Sequence, residues 1–97
     1  MKFLWTWSWK WEDYKKENEL SDKFDKAMKE NPKQFPKMLT KTCFTGRGSG
    51  FRIIEAENED QLANLVTLWW STEEWKLEVI LESQGEAMQK AWTKWNA

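Results

Sequence analysis

Between Phe3 and Trp11 every odd position carries an aromatic ring, Phe3, Trp5, Trp7, Trp9 and Trp11, with Leu4, Thr6, Ser8 and Lys10 between them. This alternation has the period of a β-strand, in which every second side chain points to the same side. A helix would scatter the same rings around its circumference. The run predicts a row of rings about 26 Å long on one sheet face. Each indole offers about 150–250 Å² for burial, so the row must be covered by helices of the chain, by a second subunit or by a ligand.

The 97 residues suffice for one hydrophobic core, and residues 1–97 are expected to form a single domain. Fifteen basic and sixteen acidic residues leave almost no net charge. Without a basic patch there is no electrostatic footprint for nucleic acid or an anionic membrane, and neither is expected as a partner. The absence of histidine removes the commonest metal ligand and acid/base group, and with a single cysteine, Cys43, no metal or cofactor is expected. One cysteine forms no internal disulfide, and Cys43 has no histidine to activate it, so it reads as a structural thiol. No apolar signal-like run follows Lys2 and no stretch reaches membrane-spanning length, so the expected location is the cytoplasm.

After the first strand, Glu12-Asp13 opens a charged segment to about Glu30, with Leu20, Phe24, Ala27 and Met28 on one helical stripe. Ser21-Asp22 would cap a second half if that helix were broken. Pro32 and Pro36 stop it. Residues 37–45 and 51–57 have strand composition, and the glycine-rich run Gly46 to Gly50 between them suits a hairpin. Its Gly-Arg-Gly pattern lacks the Gly-Lys-Ser/Thr ending of a phosphate loop, although Arg47 at its tip is placed to gate a cavity mouth. Asn58 to Asp60 start a second helix with Leu62, Leu65, Val66 and Trp69 on its apolar face, and Ser71-Thr72 breaks it. Residues 75–82 alternate as a fourth strand, ended by Gly85. A terminal helix places Ala87, Met88, Ala91, Trp92 and Trp95 on one side, as a lid or docking element.

The order is βαββαβ with an appended helix. It predicts an α+β, ferredoxin-like domain with a four-stranded antiparallel sheet and both crossover helices on one face. A homodimer closing the open sheet faces on each other is the expected remedy for an uncovered apolar face. Two helices of modest apolar width should not cover a 26 Å row, so Thr6 and Ser8 are expected under the helices and the indoles on the dimer side.

Met1-Lys2-Phe3-Leu4 followed by Thr6-Trp7-Ser8, the Gly46-Arg47-Gly48 and Gly50-Phe51 turn leading to Glu55-Ala56, the helix ending Trp69-Trp70-Ser71 and Glu78 in the final strand together resemble domain-of-unknown-function family 3303. The resemblance covers nearly the whole chain. It implies a relative of the dimeric α/β barrel group, which includes cofactor-free monooxygenases, haem-degrading enzymes and small-ligand binders, and it brings no established activity. The chain departs from the family in the charge of its first helix and in Trp5, Trp9 and Trp11, where smaller or single aromatics are usual.

The candidate ligand-binding residues are Trp5, Trp7, Trp9, Glu55 and Glu78. The indoles either line a pocket for a small hydrophobic or aromatic molecule or are simply core. The glutamates, set among apolar strand residues, either serve a ligand as base or hydrogen-bond partner or pair with indole N–H groups, Lys76 or Arg52. Three functions compete: a homodimeric ligand-binding or interaction domain, a cofactor-independent monooxygenase or isomerase, and a structural dimer with no cavity.

Overall fold

A computed structural model describes residues 1–70, 74–82 and 84–96. Strands β1 (Lys2–Ser8), β2 (Lys37–Met38), β3 (Cys43–Gly46), β4 (Ser49–Glu55) and β5 (Glu74–Ile80) form one antiparallel sheet, joined by helices α1 (Tyr14–Glu30) and α2 (Glu59–Leu68) and followed by α3 (Gln84–Asn96). The order β2-β4-β1-β5, with β3 also on β4, is consistent with a ferredoxin-like arrangement in general.

Five strands stand where four were expected, because the second strand is interrupted between Met38 and Cys43. Both halves lie along the same edge of β4. Across the gap the Leu39 N–H donates to the Ile53 carbonyl at 2.8 Å, while the Thr40 hydroxyl accepts from the Ile53 N–H at 3.1 Å. A side chain thus replaces a ladder carbonyl and lets the backbone depart without orphaning Ile53. The β3–β4 hairpin turns through Arg47 and Gly48 as expected, with a register shift between Phe44 and Gly46. Gly48 is required there: its φ is +77°, and a Cβ would lie 2.4 Å from the Trp9 carbonyl oxygen, whose own N–H donates to Gly48 O at 2.7 Å.

α1 is continuous across Ser21-Asp22. At the start of α2, Asn58 Oδ1 accepts from the Gln61 N–H at 2.9 Å, the expected cap. Buried Gln61 then accepts from the Glu57 N–H through Oε1 and donates to Lys33 O through Nε2, tying α2 to the loop after α1. The Ser71-Thr72 break lies outside the described residues. β5 ends at Ile80 rather than 82, and Gly85, expected to end the strand, sits in the first turn of α3.

The expected placement of the indoles is overturned. Trp5 and Trp7 face the helices and form the core with Phe24, Phe35, Ile54, Leu65 and Trp69. Phe24 is the hub, meeting Trp5, Phe35 and Trp69 edge to face at 5.7–6.1 Å between centroids. The row is shorter than the pattern suggests. β1 stops at Ser8, so only Phe3, Trp5 and Trp7 lie on the strand, and Trp11 falls in a 3-10 turn at residues Trp11–Asp13. Two helices suffice for that length. Leu4, Thr6 and Ser8 take the opposite face, across from Ile53, Phe51 and Ser49 of β4.

No helix among the described residues is long and apolar enough to cross a membrane. α3 leaves Met88, Trp92 and Trp95 exposed.

Candidate functional site

Between α1 and the sheet lies a cavity of about 220 Å³. Trp5 and Trp7 of β1, Trp9 just beyond it and Arg52 of β4 contribute from the sheet side. Glu17, Asn18, Ser21, Phe24 and Asp25 contribute from α1, Thr42 and Phe44 border it near β3, and Trp69 closes it from the end of α2. The α1 residues belong to one helical face, since Glu17, Ser21 and Phe24 follow at spacings of four and three. Arg52 arrives because it stands opposite Trp5 in the β1–β4 register and therefore shares its face.

Six aromatic and six polar residues share the walls. Glu17 Oε1, Arg52 Nε and Trp69 Nε1 are buried without a hydrogen-bond partner among the described residues, and all three residues line this one cavity. Glu17 is only 5% exposed and Trp69 6%. Leaving such groups unpaired costs about 1–3 kcal/mol each, more for a charge. Burial pulls the Arg52 guanidinium below its ordinary value, opposed by the negative charge of Asp25 and by Cys43. It remains the site's cation.

A larger groove of about 720 Å³ between Met28, Phe35, Met38 and Gln61 offers no such demand. There Gln61 already uses both ends of its amide.

At the cavity's rim, Trp9 stacks on Trp11 with centroids 5.9 Å apart and planes 17° apart, and the Arg47 guanidinium lies 4.0 Å above the Trp11 ring. Neither Trp11 nor Arg47 lines the cavity itself; Arg47 is held on Trp11 by this cation–π contact.

The sheet separates the residues singled out in the sequence. Trp5, Trp7 and Trp9 line the cavity on the helix side. Glu55 lies at one end of the sheet, across from Lys2 and Lys37. Glu78 lies on the open face, across from Leu4, with its Oε1 3.3 Å from Lys76 Nζ. The polar residues lining this cavity are Glu17, Asn18, Ser21, Asp25, Thr42 and Arg52, while Glu55 lines the larger groove. Glu17 was legible in principle, seven residues before Phe24 on the same stripe, and Arg52 shares strand parity with buried Ile54.

The domain of unknown function DUF3303 matches the chain over residues 1–95. The chain belongs to this family. No curated protein and no solved structure matches it. The family is one of unknown function, so the chemistry of the cavity is the guide to what this member does.

Proposed function

We propose that this DUF3303 protein binds a small, largely aromatic molecule in the cavity between α1 and the sheet. The observation that carries this reading is that Glu17, Arg52 and Trp69, each with a buried polar atom unpaired among the described residues, all line one cavity together with Trp5, Trp7 and Trp9. A dry structural core would bury apolar groups there, whereas a binding pocket combines apolar walls with a few convergent polar atoms. Titration with small aromatic compounds, neutral, anionic and cationic, followed by tryptophan fluorescence and thermal stability, tests it. Saturable quenching with a rise in melting temperature is expected, and no response across such compounds would reject it.

The same carboxylate supports a second reading. Glu17, a buried carboxylate lining the cavity, would take a proton from a bound molecule, as a cofactor-independent isomerase or monooxygenase requires. Loss of turnover in Glu17→Gln with binding retained supports catalysis; binding without turnover of any bound compound leaves a binding protein.

The open sheet face, with Leu4, Phe51 and Ile53 half-buried in the single chain, supports a homodimer of the dimeric α/β barrel kind. The single thiol, Cys43, suits a cytoplasmic location.

A further inference from the structure

We propose that α3 is an arm that docks on the open sheet face of a second copy of this chain, each copy lending its arm to the other. The inference rests on the homodimer reading and adds to it an element that seats on the face.

Every residue of α3 from Gly85 to Asn96 is exposed and none joins the core. The chain is correspondingly elongated, with a radius of gyration of 16.1 Å and a longest extent of 54 Å. A compact domain of this length has a radius of gyration of about 12–13 Å. A helix of 13 residues is marginal in water by itself and holds its shape by packing an amphipathic face. α3 has such a face: Ala87, Met88, Ala91, Trp92 and Trp95 fall within an arc of about 140°.

The same chain offers the complementary surface. Leu4 of β1 and Phe51 and Ile53 of β4 make an apolar strip two adjacent strands wide, on the sheet face opposite α1 and α2. Strands about 4.8 Å apart give this strip roughly the width of one helix, and strands about 23 Å long match a helix about 20 Å long. α3 starts at the end of this face, where Ala87 and Met88 border a groove with Lys2, Glu55 and Ile80 of the open side. From there it stands away from the body. Seating on its own strip would need the helix to swing back over the sheet, whereas a two-fold related copy receives it as it stands.

The area is sufficient. Trp92 and Trp95, 67% and 75% exposed, offer about 150–250 Å² each. Two arms with the two strips beneath them bury on the order of 1,200–2,000 Å², the size of a stable specific interface. A membrane surface is a poorer match. The helix has two lysines, of which Lys90 pairs with Glu86 at 3.7 Å and Lys94 lies 4.9 Å from the Trp95 ring centroid.

The test places the photoreactive amino acid benzoylphenylalanine at Gln89, beside the apolar stripe, in an equilibrated mixture where isotope-labelled copies lack it, and reads the cross-linked peptides by mass spectrometry. Links from α3 to residues 2–8 or 49–55 of labelled copies are expected. Links only within one chain would put the arm on its own sheet, and links only between two α3 helices would make a helix pair; either overturns the assignment. Trp92→Glu combined with Trp95→Glu changes only exposed positions, so the fold is kept, and the dimer dissociation constant should rise about tenfold or more in sedimentation. A dimer that Phe51→Glu dissociates but this double variant leaves intact would overturn the arm and spare the homodimer reading. A monomeric parent would remove both. Binding of the parent to phosphatidylserine-containing vesicles without links between copies would overturn the proposal in favour of a membrane surface.

Discussion

Trp7 and Gly50 face each other across the β1–β4 register, and a Cβ on Gly50 would lie 2.8 Å from the indole Cζ2 and 2.6 Å from the Cys43 carbonyl oxygen. The missing side chain is the space the Trp7 ring uses. Gly50→Ala should therefore cost about 1–3 kcal/mol, the range of overpacked cores, in urea denaturation. Gly46, with nothing within 4 Å of an added Cβ, provides the matched control and should tolerate alanine.

Gln61 joins α2 to the loop after α1 through two side-chain hydrogen bonds, at 2.8 Å from the Glu57 N–H and 3.0 Å to Lys33 O. Gln61→Leu would strand both backbone groups in a half-buried place. A loss of about 1–3 kcal/mol is expected. Asn58→Ala removes only the helix cap, and its loss should be nearer 1 kcal/mol.

The proposed dimer uses the face that carries Phe51 and Ile53, not the face that carries the cavity. Phe51→Glu should shift sedimentation from dimer to monomer while binding of small aromatic molecules persists. A monomeric parent protein would dismiss the dimer without touching the ligand site.

Much of the fold is legible in local pattern. The alternation around Trp5 and Trp7 marks β1, the glycines around Arg47 mark the hairpin, and Asn58 marks the start of α2, each through a short-range rule about period, φ or capping. The face on which the indoles lie is a different kind of fact. It depends on where β1 ends, and the alternation runs past Ser8 into Trp9 and Trp11, which the structure places beyond the strand. Once the row is three rings rather than five, α1 and α2 cover it.

The site was harder to read for a related reason. Glu17 lies in a run of Lys and Glu that reads as a solvated helix face, and only its spacing to Phe24 reveals that it points inward. Glu55 and Glu78 stand out because apolar residues flank them in sequence, but neighbours on a strand point to opposite faces. Register across strands, not contrast along the chain, places Arg52 beside Trp5.

Whether Glu17 serves a bound molecule or the fold is decided by the stability of Glu17→Met without ligand. Methionine keeps similar volume and helix propensity while removing an unpaired buried carboxylate oxygen. If Glu17 is held for a ligand, the variant should be more stable than its parent by about 1–3 kcal/mol in urea denaturation. A variant less stable than its parent would contradict the account and make Glu17 a structural residue of the α1–sheet interface.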